Sequence, residues 1–349
     1  MSSEGVSVDQ VAGRSARATI AVLLIILLVM AVASLGIGRY DISFARVVEI
    51  LLSPIRQPGM AVTPTEANVI FTVRMPRILL ALAAGAGLAL SGAALQGVFR
   101  NPLVGPQVVG VSSGAAFGGT LAILLNLPQY GLLGSAFVFG LSALVLVYAL
   151  NGIVARRNIL ALVLAGVVIS GFFGALVSLL QYLADTEDKL PAMVFWLLGS
   201  FATANWERFS LVAAPVLLGG LLVLGLRWRI NLLSMGDEDA HSLGINAPQL
   251  RWIVLVLVSC IVAAQVAVSG IIGWVGLVVP HMARMLVGPD HRVMMPASLI
   301  IGAIYLLMID TVARSATATE IPLGILTALI GTPVFALVLR KTQRSSNGF

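Results

Sequence analysis

Charge is what this sequence has least of. Of its 349 residues only 10% are Asp, Glu, Lys or Arg, while 59% are hydrophobic. A soluble domain carries about 25% charged residues, so a water-soluble globular fold is excluded and the bilayer is the solvent to reason with. Cysteine is almost missing: Cys260 stands alone, which excludes an intrachain disulfide and a thiolate metal cluster. No GxxxxGK[ST] phosphate loop occurs, so if ATP drives this protein another chain binds it. His281 and His291 lack i,i+4 spacing, no Cys or second carboxylate stands near them, and they read as structural rather than metal ligands. No Ser-His-Asp set or carboxylate pair falls within an apolar run. The net charge of +6 fits Lys and Arg gathered in cytoplasmic loops, not a nucleic-acid surface.

Long apolar runs are what the chain does have. About 20 such residues span a bilayer. Runs fall at 19–38, 78–98, 108–127, 132–154, 159–183, 209–226, 253–268, 271–287, 293–312 and 323–339. They predict an all-α integral membrane protein, one polytopic domain over residues 1–349, with about ten transmembrane helices. Residues 1–17 read as a cytoplasmic tail, Phe44–Leu52 as an amphipathic external piece, and 193–203 as a re-entrant or interfacial helix. Counting from an internal N-terminus places Arg100, Arg156, Arg157, Arg227, Arg229, Arg251, Arg292, Arg340, Lys341 and Arg344 inside. The acidic turn 185–188 falls outside, both termini inside, and the positive-inside bias agrees. The 35 glycines suit helices that approach closely in lipid. Residues 89–92 (ALSG) weakly echo 267–270 (AVSG), the kind of repeat found between transporter halves.

Against this background the polar stretches stand out. Residues 233–251 read LSMGDEDAHSLGINAPQLR. A charge at mid-bilayer costs about 2.5–3.5 kcal/mol, so Asp237, Glu238 and Asp239 place this stretch in water. The acids suit the first turn of a short helix over 237–244 that Gly244 closes, and Asn246 with Pro248 suits the start of a second short helix. A capped knob and a solvated loop both fit. Arg74, Arg77 and Arg314 break the positive-inside pattern. They fit either snorkelling to headgroups or a docking seat for an acidic partner, because guanidinium pairs bidentately with carboxylate. Asp310, one helical turn before Arg314, suits a structural ion pair or a proton relay. The segment 100–114 reads as a cytoplasmic turn before a Gly- and Ser-rich helix start, which could hold an anion or simply pack tightly. On 159–183, Ser170, Gly171, Ser178 and Gln181 are weakly polar and partly share a face. They suit a translocation pathway or helix–helix packing.

The motifs together carry a resemblance. VSGIIGWVGLVVPHMARMLVGPDHRVMMP and DTVARSATATEIPLGILTALIGTP, with RMPRILLALAAGAGLALSGAALQGVFRNPL and GVSSGA, closely resemble permeases of the iron-siderophore, haem and vitamin B12 ABC importers. The likeness runs from about residue 74 to 340. It implies a vitamin B12 importer permease-like fold in a bacterial or archaeal cytoplasmic membrane and no enzymatic activity of the chain's own. Implied partners are a second permease copy or paralogue, two cytoplasmic ATPase subunits holding ATP and Mg, and a periplasmic or lipoprotein substrate-binding protein. No cofactor or metal is expected on this chain. Met235, Gly236, Asp237, Glu238, Asp239, His241, Ser242, Leu243 and Gly244, within coupling helices expected over 231–251, resemble the segment that seats in the ATPase. Arg74, Arg77 and Arg314 resemble arginines that meet glutamates of the binding protein. Runs 159–183 and 323–339, with 193–203, are similar to segments lining the pathway. Iron-siderophore is the implied cargo, with haem or vitamin B12 as alternatives. A secondary transporter working alone would want ionisable groups near the midplane, and only Asp310 qualifies.

Overall fold

The computed structural model describes residues 8–38, 40–52, 62–154 and 159–346. Its elements are α1 Val8–Gly36, α2 Phe44–Leu52, α3 Pro64–Asn68, a π turn Val69–Arg74, α4 Met75–Phe99, a 3-10 turn Pro106–Val109, α5 Val111–Leu124, α6 Gln129–Val154 and α7 Ile159–Leu183. Then follow α8 Lys189–Leu197, α9 Trp206–Gly225, α10 Arg227–Leu233, α11 Asp237–Ser242, α12 Ala247–Ser269, α13 Val275–Val287, α14 His291–Ser315 and α15 Leu323–Ser346. Arg156 and Arg157 lie outside the described residues.

Every apolar run of the sequence contains a helix, and among the described residues seven helices are long and apolar enough to cross a membrane. Val111–Leu124 and Val275–Val287 are shorter apolar helices, and α15 opens with the apolar stretch Leu323–Leu337. At 1.5 Å per residue, the 13 residues of α13 reach about 20 Å, short of a hydrocarbon core of about 30 Å. Runs 108–127 and 271–287 are therefore only partly helical. The first gives up its start to the 3-10 turn, the second to a non-helical stretch ending at Trp274, whose φ is +66°. The expected cytoplasmic turn at 100–114 folds back into the bundle. Pro106 is buried and sits where a side chain on Gly276 would stand.

α4 is the axis of the molecule. It is buried almost from end to end and packs against α9, α12, α13 and α14. Glycine makes this possible: a Cβ on Gly92 would lie 1.7 Å from the Gly276 carbonyl, and one on Gly85 would lie 2.2 Å from that of Gly302. Backbones this close gain dispersion contacts that larger side chains would forbid, which is what drives helix association in lipid. The helix continues backward through the π turn and α3 to Pro64. Pro76 lacks the N–H that would continue the ladder, and the wider turn falls directly before it.

α1 lies at the edge, leaning on α14, with Val22, Ile25, Leu28 and Val29 exposed as befits a lipid face. α2 has the bounds expected of the amphipathic piece, and its Val47 and Ile50 are fully buried in a satellite core with Leu35, Ile70, Ile78 and Leu307. Arg46 of α2 reaches Glu66 of α3 at 3.0 and 2.9 Å, and Glu66 closes a reciprocal cap with Thr63.

Candidate functional site

Two polar assemblies sit at opposite ends of α4, which at 25 residues separates them by about 37 Å. At its N-terminal end the structure gathers Arg74, Arg77 and Arg314, all nearly buried. Arg77 donates from Nε and Nη2 to Asp310 (3.0 and 2.9 Å) and from Nη1 and Nη2 to Glu320 (2.8 and 2.9 Å). Asp310 is fully buried, and Arg314 Nε approaches it at 3.7 Å. The acid is thus clamped by two guanidiniums, which favours the structural ion pair over a proton relay.

Arg74 and Arg314 do something the sequence does not announce. A helix leaves its last four carbonyls without partners. At the end of α1 and just beyond it, carbonyls are taken by guanidiniums from the π turn before α4 and from α14. Arg74 donates to Leu35 (2.6 Å), Gly36 (3.2 Å) and Tyr40, while Arg314 donates to Ser34 (2.6 Å) and Ile37 (2.5 Å). Cations also complement the negative end of the helix. Gly38 makes room for them: a Cβ there would meet Arg74 Nη2 at 2.7 Å and Arg314 Nη1 at 3.0 Å. The arginines expected to snorkel or to face a partner are consumed internally. What they leave open is a cleft of about 240 Å³ bordered by Tyr40, Val73, Arg74, Arg77, Arg314 and Glu320.

At the other end stands the knob. α11 spans Asp237–Ser242, and a 6→1 bond from Ile245 N to Ala240 O (2.9 Å) with one from Gly244 N to His241 O (2.9 Å) ends it. Gly244 has φ +79°, the left-handed conformation such an end needs. Asn246 caps a helix by accepting from Gln249 N (3.1 Å), but that helix is α12, which runs on to Ser269. The expected second short helix is therefore the start of a long one. The short companion of α11 is α10 instead.

Asp237 turns inward. Its Oδ1 accepts from Arg251 Nη2 at 2.5 Å, and Arg100 Nη2 lies 3.4 Å away. The hydrogen bond from Arg251 holds the Asp237 carboxyl below the usual carboxylate range. Arg100 closes α4 in the left-handed region (φ +51°), a conformation costing a non-glycine residue about 1–2 kcal/mol. Asp237 thus ties the knob to the ends of both α4 and α12. Glu238, Asp239, His241, Ser242, Leu243 and Gly244 face outward, with Met235 67% and Leu243 58% exposed. Two apolar side chains among acids form a surface suited to a protein groove, and Gly236, at φ +159°, precedes the helix without a side-chain cap.

The four residues of α7 divide between two faces. Gly171 and Ser178 are exposed, and a Cβ on Gly171 would meet nothing within 4 Å. Ser178 bonds back to the Gly174 carbonyl at 3.1 Å. Ser170 and Gln181 are half-buried, and Ser170 Oγ has no hydrogen-bond partner. Gly38, Glu320, Arg100 and Arg251 were not singled out as site residues in the sequence. For Glu320 a signal existed: three arginines on one side of a bilayer call for acids, and it is the carboxylate nearest Arg314 downstream. Among the described residues no group of three metal-capable side chains converges.

Comparison with known proteins identifies the relatives of this architecture. The model of the FecCD transport family matches residues 24–341. The molybdate import system permease protein MolB of Haemophilus influenzae is 51% identical over 92% of this chain and 95% of its own. The cobalamin import system permease protein BtuC of Halobacterium salinarum is 43% identical over 80% of this chain and 76% of its own. A solved inward-facing structure of an ABC transporter assigned to the metal-chelate type superposes with a TM-score of 0.85 at 49% identity, covering 93% of this chain and 99% of that one. The family model over residues 24–341, the 51% identity over 92% of the chain and the superposition of an ABC transporter over 93% of it place this chain in the FecCD transport family, as a permease subunit of an ATP-binding cassette importer.

Proposed function

We propose that this permease moves a metal-bearing oxyanion of the molybdate type toward the cytoplasm. The observation that carries this reading is the 51% identity to the molybdate permease across 92% of the chain, against 43% for the cobalamin permease. The iron-siderophore cargo expected from the sequence, with haem or vitamin B12 beside it, becomes the second reading, favoured by that cobalamin likeness and by the metal-chelate structure. Uptake of radiolabelled molybdate and of a radiolabelled ferric siderophore, by cells carrying the complete transporter, separates the two. Molybdate accumulation that stops on deleting this chain supports the first. Siderophore accumulation alone would overturn it.

In this reading two copies, or this chain and a paralogue, meet across the exposed face of α7. Gly171 and Ser178 line the passage, with Ser170 and Gln181 beside it, and α7 carries no charge that could trap an anion or a chelate. The outward face of α11 seats in the ATPase subunit, where Met235, Glu238, Asp239 and Leu243 make contact and Asp237 transmits movement to α4 and α12. A substrate-binding protein docks over the Arg74–Arg77–Arg314 cleft, an acidic side chain entering beside Glu320.

A further inference from the structure

A second pocket lies at the knob end, on the far side of the Gly244 turn. It holds about 310 Å³ and is lined by Trp228, Arg229, Leu243, Asn246, Gln249 and Ile253 among others. No carboxylate lines it, whereas the neighbouring groove of about 370 Å³ contains Asp237. Its one lining cation, Arg229, and Arg227 two residues before it differ from the ion-paired arginines nearby. Arg100, Arg251 and Arg292 are ion-paired with Asp237 or Asp290. Arg227 and Arg229 are exposed and take part in no ion pair among the described residues. Asn246 spends its Oδ1 on the cap of α12, so its NH2 is left to donate outward. Gln249 exposes a second amide. Donors therefore converge here without a competing acid.

The surface beyond the pocket is apolar. Leu218, Leu221 and Leu222 of α9 are 58–68% exposed, and Ile253 and Val256 of α12 are 41% and 47% exposed. α9 and α12 pack side by side, so the strip is continuous with the pocket mouth. Trp228, 51% exposed, stands where the apolar strip meets the charges, the level at which indole rings anchor in a membrane interface. Basic pockets between membrane helices bind anionic lipid headgroups.

We propose that this pocket binds the phosphodiester headgroup of an anionic phospholipid from the leaflet on the knob side. Arg229, Asn246 and Gln249 donate to the phosphate oxygens, Arg227 adds charge, and the acyl chains lie along the α9–α12 strip. This rests on the membrane topology above and not on the identity of the cargo. The ATPase subunit is the competing occupant.

The test is native mass spectrometry of the purified permease in detergent, stripped of lipid and titrated with short-chain phosphatidylglycerol. The parent retains phosphatidylglycerol, and equal phosphatidylcholine or inorganic phosphate does not displace it. Each arginine removed, as in Arg229→Gln or the Arg227→Gln/Arg229→Gln pair, weakens retention about fivefold. Gln249→Glu places a carboxylate at an exposed position and lowers retention without disturbing packing, which guards against a folding defect in the arginine variants. Equal retention by parent and Gln249→Glu overturns the proposal. So does displacement by inorganic phosphate, which would mark a free-anion site. Release of the lipid when the ATPase subunit is added would mark a protein contact and overturn it as well.

Discussion

The two ends of α4 carry the same chemistry, arginines around an aspartate, and put it to different use. At the Arg74 end the aspartate is fully buried, Asp310 between Arg77 and Arg314. At the Arg100 end Asp237 is 42% exposed, and the side chains beyond it reach water. Burial decides the difference. Removing one partner of a buried pair strands a charge in low dielectric, whereas an exposed pair is screened and worth little. The first assembly therefore holds the bundle together, and the second can afford to move.

The contrast can be broken most sharply at Asp310. Asp310→Asn leaves two buried guanidiniums without their shared anion, a loss of about 3–5 kcal/mol. Thermal unfolding of the detergent-purified protein should shift strongly downward, and a parent-like midpoint would deny the burial argument. Gly38→Ala comes next. Its Cβ meets two guanidiniums in a backbone conformation that disfavours side chains, for about 1–3 kcal/mol. Pairing it with Arg74→Ala should recover part of the loss if the clash is the cause, and no recovery would place the cause elsewhere.

Asp237→Asn gives the smallest stability change, about 1 kcal/mol, because Asp237 is 42% exposed and the Asn amide oxygen can still accept from the buried Arg251, and it gives the largest functional one. Hydrogen exchange should rise over 237–244 while the rest of the bundle is unchanged, and uptake should fall at constant membrane yield. The pH dependence sharpens this. A carboxyl held low on folding stabilises above its unfolded value, about pH 3.9, and that contribution is lost as pH falls through the folded value. The parent knob should loosen in acid below about pH 4, and the Asn variant should not respond. Identical acid profiles would separate the knob from the Asp237 clamp.

Which parts were legible follows from range. Hydropathy is a local property, so all ten apolar runs and the bounds of Phe44–Leu52 could be read directly. A cap is local as well, and Asn246 does start a helix. It says nothing of where that helix ends, which is why a short element was expected in place of α12. The half-helices α5 and α13 begin late because Pro106 and Trp274 pack against other segments. The arginines were noticed for lying on the wrong side of a charge rule. Their partners were hidden by distance along the chain: Arg77 and Asp310 are 233 residues apart.

That distance also has a meaning in time. The carbonyl of Ile37 at the end of α1 waits for Arg314, 277 residues later. At about 5–20 residues per second a ribosome takes roughly 15–55 s to supply it. Arg74 arrives 38 residues after Gly36, so one guanidinium reaches the helix end early and the other closes it last. Until then the final turn of α1 must draw its hydrogen bonds from interfacial water, and the first helix made is among the last to be locked.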